Sequence, residues 1–335
     1  MVTILQVSRQ AGVSTATVSR VINNPEVVGV RTRERVLEVI ERLGYRPNLV
    51  ARDLASRSSR TIGVVINNFA SVYYGFMLEG VEMALRNVGY KTIAESSQAT
   101  SEGERQAWFS LLDRQCDGVV VHADNLEDDE LAVLLDRQPT SVLLNRYLKG
   151  HADRCVYLDN VQGGRLAAEY LISKGHHQIA TITGPMKFYQ AKDRLKGFTQ
   201  GLAQAGITLD ADLVAEGDFH AAGGEAAMAH LLDTHRPFTA LFCHNDEMAA
   251  GAMETCRQRG IRVPEDISIL GFDDVNVASH LTPKLTTVRQ PLREIGAAAG
   301  ILAHSLATGQ VANSGLKTVF DAEIVERATV VDVTP

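Results

Sequence analysis

No stretch of the chain approaches the roughly 20 consecutive apolar residues that span a bilayer, so no membrane segment is expected. The opening MVTILQVSRQ lacks a basic segment followed by an apolar run, which points away from a secretory leader and towards the cytoplasm. Cysteine is scarce: Cys116, Cys155, Cys243 and Cys256 lie far apart and make no C-x-x-C pair. They read as small buried hydrophobes, not as a disulfide framework or a zinc ribbon. Also missing are G-x-G-x-x-G after the first strand, G-x-x-x-x-G-K-[ST] and G-x-S-x-G. Those are the marks of dinucleotide, nucleoside-triphosphate and nucleophilic-serine sites. The histidines, His176-His177 included, have no H-E-x-x-H spacing. No metal, no cofactor and no enzymatic activity are therefore expected.

One absence is local. Residues 1–60 contain no lysine, yet they hold ten arginines against five acids, a formal charge of +5. The remaining 275 residues carry 23 basic and 35 acidic side chains, a charge of −12. A small basic head on a large acidic body is the electrostatic footprint of a nucleic-acid reader joined to something that binds elsewhere. With 335 residues, 45% of them hydrophobic, the chain is long enough for two or three well-filled domains.

The head reads as three short helices. Thr3 and Gln6 have capping-box form, and Ile4, Val7 and Ala11 follow at helical spacing. Gly12-Val13-Ser14 breaks the pattern, and Ser14 is placed to cap a second helix over Thr15–Asn23, with Val18, Val21 and Ile22 inward. A third helix is expected from about Arg31 to Leu43, with Val36, Val39, Ile40 and Leu43 as its core stripe and Gly44 and Pro47 at its end. Two short helices joined by a glycine-containing turn form the helix-turn-helix plan, whose second helix enters the major groove. Thr15, Ala16, Thr17, Ser19, Arg20 and Asn23 would face outward there. The arginine can reach guanine O6 and N7, and the Thr and Ala methyls can meet a thymine methyl.

The run A-G-V-S-x-x-T-V-S-R-V-I-N at Ala11–Asn23, L-G-Y-R-P-N at Leu43–Asn48 and A-R-x-L at Ala51–Leu54 together resemble the lactose/galactose repressor family. Within it the likeness is to galactose and aryl-β-glucoside repressors, through V-V-H-A at Val120–Ala123 and N-R-Y-L-x-G with R-C-x-x-L-D over Asn145–Asp159. The resemblance implies a lambda-repressor-like helix-turn-helix head over residues 1–48, a hinge helix within 49–60, and a periplasmic-binding-protein-like body over 61–335. Asn48, Ala51 and Leu54 would contact operator DNA, with Leu54 as an apolar wedge in the minor groove. The residues alone are compatible with a marginal helix that folds on DNA, but favour a solvated linker in which Leu54 packs on the body. One departure is visible: Gly29-Val30 stands where the family caps its third helix with a serine or similar side chain, which puts one phosphate contact in doubt.

From Thr61 onward apolar runs alternate with amphipathic stretches. Strands are expected at Ile62–Ile66, Lys91–Ala94, Gly118–Val121, Ser141–Leu144, Cys155–Leu158, Ile179–Thr183, Ala240–Cys243 and Ile267–Phe272, with helices between. Repeated strand–helix units imply doubly wound parallel sheets, an α/β fold. The pattern restarts near Asn160, so two similar lobes are expected: 61–159 with 291–317, and 160–290 with 318–335. A helix around Ile295–Leu302 would cross back to the first lobe, and a strand near Thr318–Ile324 would complete the body.

Ligands of such sheets sit at the carboxyl ends of the strands. Asn67, Tyr73, His122, Asn145 and Arg146 fall there in the first lobe, and Arg194, Phe219, Asn245 and Asp273 in the second. Amides, carboxylates, an arginine and aromatic faces suit a polyol; singly, each could be a helix cap or a turn residue, Asp246 and Asp274 especially. The resemblance sharpens the assignment: Arg194, Asn245 and Asp273 match cleft residues, Phe219 sits where an aromatic covers the ligand, and Phe188 replaces the arginine of purine-sensing relatives. It implies a regulator that binds a palindromic double-stranded operator as a homodimer and is released by a small sugar. The chain's end, A-T-V-V-D-V-T-P, lacks the leucine heptads of family tetramers. The alternatives are the same regulator with a non-sugar effector or corepressor, and a sugar-binding protein with no regulatory role.

Overall fold

A computed structural model describes residues 2–45, 58–310 and 315–333. The chain forms two units, residues 1–59 and 60–335.

In the first unit local chemistry sets the helices. The Thr3 hydroxyl accepts from the Gln6 amide while the Gln6 side chain accepts from the Thr3 amide at 2.8 Å, opening α1 (Ile4–Ala11). Gly12 closes it at φ +63°, a conformation in which a Cβ would be strained. The Ser14 hydroxyl accepts from the Thr17 amide at 3.1 Å and starts α2 (Thr15–Asn23). The third helix, α3 (Val30–Leu43), begins at Gly29 without a side-chain cap and ends at Gly44. Val7, Ala11, Val18, Val21, Val36, Val39 and Tyr45 bury together as the core of this unit. Ala11, 2% exposed, lies within that core. The expected hinge helix, with Asn48, Ala51 and Leu54, lies outside the described residues.

The second unit holds two six-stranded sheets. The first contains β1 (Thr61–Ile66), β2 (Lys91–Ser96), β3 (Gly118–Val121), β4 (Ser141–Leu144), β5 (Cys155–Leu158) and β11 (Val319–Phe320), ordered β11-β5-β4-β3-β1-β2. The second contains β6 (Ile179–Thr183), β7 (Val214–Glu216), β8 (Ala240–Cys243), β9 (Ser268–Asp273), β10 (Thr286–Arg289) and β12 (Glu323–Val325), ordered β12-β10-β9-β8-β6-β7. All pairings are parallel except β10 with β12. Each sheet thus repeats the 2-1-3-4-5 order of a doubly wound fold, and the restart falls at Asn160 as the sequence pattern indicated.

The helices of the first lobe are α4 (Val72–Asn87), α5 (Ser101–Asp113) and α6 (Asp128–Arg137). Those of the second are α7 (Asn160–Ser173), α8 (Tyr189–Gln204), α9 (Ala221–Asp233), α10 (Asp246–Gln258) and the short α11 (Asn276–His280). The crossing helix α12 (Leu292–Thr308) packs on α4, β3 and β4 of the first lobe, as expected. Among the described residues no helix is long and apolar enough to cross a membrane.

The tail corrects the expected boundary. The single strand placed near Thr318–Ile324 is two: β11 adds to β5 in the first sheet, and β12 adds to β10 in the second. Residues 319–320 therefore belong to the first lobe, and the chain passes between lobes three times, after β5, after β10 and after β11. Three points of passage side by side make a hinge that permits the lobes to rotate while limiting which way.

Candidate functional site

The carboxyl ends of the strands in both sheets converge on one cavity of about 280 Å³. Its size is at the small end for ligand pockets, which run roughly 300–1,000 Å³. From the first lobe Asn67, Asn68, Tyr73, Tyr74 and Asp124 line it; from the second come Phe188, Gln190, Arg194, Phe219, Asn245 and Asp273, with Lys187, Asp218, His220 and Glu247 alongside.

Tyr73 and Tyr74 open α4 directly after the loop leaving β1, so both rings turn into the cavity at right angles to each other, 5.1 Å apart. The Asn67 amide donates to the Tyr74 hydroxyl and to the Asp124 carboxylate, each at 2.8 Å. The Asn145 amide donates to the Tyr73 hydroxyl at 2.7 Å. Burial pushes both phenols well above their ordinary range, so they stay protonated and can donate.

Arg194 lies within α8 and is 2% exposed. Its guanidinium stacks on the Phe272 ring at 3.8 Å, donates to Asn160 Oδ1 at 2.9 Å and to the His244 carbonyl, and stands 3.7 Å from the Asp273 carboxylate. Burial pushes the Asp273 carboxyl up to about 7, a rise that Arg194 and a hydrogen bond from Gln290 oppose. Phe219 sits at φ +68°, in the left-handed region, and stacks near-parallel to Phe188 with centroids 6.2 Å apart. Gly184 makes that placement possible, since a Cβ there would lie 2.0 Å from the Phe219 ring. Two aromatic faces and a guanidinium–carboxylate pair in one cavity can take a ligand with one apolar face and an edge of hydroxyls.

Six of the nine residues singled out for the effector therefore line the cavity: Asn67, Tyr73, Arg194, Phe219, Asn245 and Asp273. Asn245 doubles as the cap of α10, accepting from the Met248 amide and donating to the Phe219 carbonyl at 2.8 Å. Three residues stand behind the wall. Asn145 holds Tyr73; His122 is fully buried beneath Tyr74, its ring 5.0 Å away and edge-on. Arg146 is spent elsewhere: it donates to the Ala123 and Leu126 carbonyls at 2.8 Å and to Asp128 at 2.6 Å, and so staples the loop after β3. Asp246 does not cap α10, a place Asn245 takes; its buried carboxylate accepts from Thr287 Oγ1 at 2.6 Å and the Val275 amide at 2.8 Å and so ties distant segments together. Asp124, Gln190 and Glu247 were not foreseen. Asp124 could have been found by counting past the strand end to the loop; Gln190 lies on the first turn of α8.

On the first unit, Thr15, Ala16, Arg20 and Asn23 are exposed along one side of α2, and Thr17 and Ser19 are half-buried. Asn23 donates to the Ser19 hydroxyl at 3.2 Å and Thr17 shares a hydrogen bond with Ser14 at 2.9 Å. The six side chains offer donors, acceptors and methyls on the helix that the sequence marked for base contact.

A profile described as bacterial regulatory proteins, lacI family, matches residues 3–48, and one described as a periplasmic binding protein-like domain matches 168–330. The transcriptional regulator GalR of Escherichia coli K12 is 40% identical over 98% of this chain and 96% of its own. The lac repressor dimer bound to operator and the anti-inducer ONPF matches with a TM-score of 0.88 at 29% identity, over 98% of this chain and 99% of that one. A complex of the regulator CelR with cellobiose matches with a TM-score of 0.73 at 33% identity, over 98% and 100%. The chain belongs to the lacI family of bacterial regulatory proteins: it is a helix-turn-helix transcriptional regulator and not an enzyme.

Proposed function

We propose that this regulator is a cytoplasmic repressor that binds a palindromic operator as a homodimer and lets go of it when a neutral sugar, galactose-like or a β-glucoside, fills the cavity. The observation that carries the reading is the pairing, in one chain, of a polar-faced second helix with a cavity whose walls are an Arg194–Asp273 pair and the Phe188 and Phe219 rings. The lac repressor dimer bound to operator and the complex of CelR with cellobiose support the same assignment of partners. The pairs Asn67 with Tyr74 and Asn145 with Tyr73 belong to the first lobe, and Arg194 with Asp273 to the second, so a ligand that touches both sets favours one lobe arrangement. The effector works only by its differential affinity for the two arrangements, a coupling of typically ~1–3 kcal/mol. The outward residues of α2, with Asn48, Ala51 and Leu54, would make the DNA contacts.

The test is operator affinity of the purified chain by fluorescence anisotropy, with and without galactose and a series of β-glucosides. A sugar of the panel is expected to weaken operator binding by about 5–150-fold. If every sugar leaves the affinity unchanged, the reading is wrong. In the same assay Arg20→Ala should cost about 1–3 kcal/mol on the operator and much less on random duplex.

A further inference from the structure

The two walls of the cavity are charged differently. In the second lobe the buried Asp273 carboxylate has a guanidinium beside it, Arg194 at 3.7 Å. In the first lobe Asp124, 7% exposed, has none. Its Oδ2 accepts from the Asn67 amide at 2.8 Å, its Oδ1 accepts from the Gln190 amide at 3.3 Å across the cleft, and His122 Nδ1 stands 3.4 Å away. Arg194 is not free to serve both carboxylates, since it already donates to Asn160 and the His244 carbonyl. Lys187, the other permanent cation of the lining, is exposed at the mouth, with its ammonium over the Phe188 ring at 4.7 Å. Half-buried Glu247 and exposed Asp218 of the lining add two further carboxylates.

A buried carboxylate that faces a cavity with amide, imidazole and phenol neighbours, Tyr73 and Tyr74 among them, and no guanidinium beside it gains from a ligand that brings hydroxyl donors, and it repels one that brings negative charge. We propose that Asp124 is a specificity-determining residue of the effector cavity, which accepts hydroxyl groups of a neutral sugar and excludes its anionic counterparts, phosphorylated sugars and uronic acids. This deepens, and rests on, the reading of the cavity as a sugar site. Discrimination here comes from a repulsive element as much as from an attractive one. Gln190 reaches the same carboxylate from the opposite lobe, so the group that selects the ligand also stands where the lobes meet.

The experiment is calorimetric titration of the full chain at pH 8, with D-galactose or methyl β-glucoside, with the 6-phosphate of the same sugar, and with inorganic phosphate. Wild type should bind the neutral sugar about tenfold or more tighter than its phosphate, and inorganic phosphate not measurably, as expected for like charges a few ångströms apart at partial burial. Asp124→Asn should narrow that gap about tenfold and gain phosphate binding. Asp124→Ser, smaller and also uncharged, repeats the measurement should the asparagine variant fold poorly. Equal wild-type affinity for sugar and sugar phosphate, or a gap untouched in both variants, overturns the proposal. Were no neutral sugar to bind, the sugar reading itself would fall. The phosphate arm then still decides on the exclusion: gain of phosphate binding in the variants supports it, and no gain overturns it.

Discussion

Asp273 ends β9 with φ +109°, in a backbone region that side chains seldom adopt, and its carboxyl is buried against Gln290 and Arg194. Strain of this kind persists only where surrounding contacts over-determine it, and it clusters at binding sites. Burial disfavours the charged form, so the folded protein holds this proton up to about pH 7, whereas an unfolded aspartate releases it near 4. The folded state thus binds more protons between those values, and the stability Asp273 contributes is full below about pH 4 and lost as the pH climbs through 7. Asp246 is pushed the same way by burial and by Asp273, and buried His244 the opposite way, so the wild-type profile alone does not isolate the group. Comparison with Asp273→Asn does: the melting temperature of wild type relative to the variant should fall steadily from pH 4.5 to 7.5 by scanning calorimetry. A constant difference would contradict the assignment. At this scale the sequence showed which residue types gather at strand ends, but not which of them face inward. Arg146 and Arg194 look alike in the chain; only the fold shows the first consumed by two carbonyls and Asp128, and the second facing a cavity.

Between elements, reciprocal glycines decide how closely the helices approach. In the second lobe a Cβ on Gly164 of α7 would lie 2.1 Å from the Arg194 carbonyl oxygen, and one on Gly197 of α8 would lie 1.9 Å from that of Val161. The first lobe repeats the device with Gly80 of α4 against Arg293 and Gly296 of α12 against Met77, both at 2.0 Å. Backbone is the obstacle in all four cases, and backbone cannot step aside as a side-chain tip can. Because α8 carries both Gln190 and Arg194, its distance from α7 sets where those groups stand in the cavity. Gly197→Ala should therefore cost about 1–3 kcal/mol or more through overpacking, and effector affinity should drop with it. Gly75→Ala, on an open face of α4, should be neutral or stabilise by about 0.5–1 kcal/mol. Urea unfolding of the two variants checks the contrast; equal effects would refute the packing account. The long buried strands were legible because parallel strands covered on both faces read as runs of Val, Ile and Leu. The edge pieces β7, β11 and β12 are two or three residues long, too short to carry a period, and their places are set by pairing partners far away in the chain.

The whole molecule divides its charge as it divides its work. The +5 of residues 1–60 comes from arginine alone, and arginines such as Arg20, Arg31, Arg33 and Arg35 belong to α2 and α3 of the first unit, while the −12 of the remainder surrounds a cavity that itself carries more acids than bases. That partition was plain in the sequence and survives in the structure, since charge follows the chain. What it could not reveal is the hinge, because three passages between lobes depend on where the final strands pair. An acidic body lends no attraction to DNA, so the basic unit must supply the phosphate contacts by itself, and counterion release then sets their salt dependence. Operator affinity should fall by about 10³-fold or more between 50 and 200 mM salt if some six phosphates are contacted. Sugar affinity of the same chain should barely move, since a neutral ligand releases no counterions. Removing residues 1–60 should abolish DNA binding and leave the sugar isotherm of the body intact, because the cavity is lined wholly by residues 67–275. Anisotropy and calorimetry on both chains across the salt series measure the two affinities side by side. If sugar binding were lost on truncation, or fell with salt in step with DNA binding, the two units would not divide the work as their charges indicate.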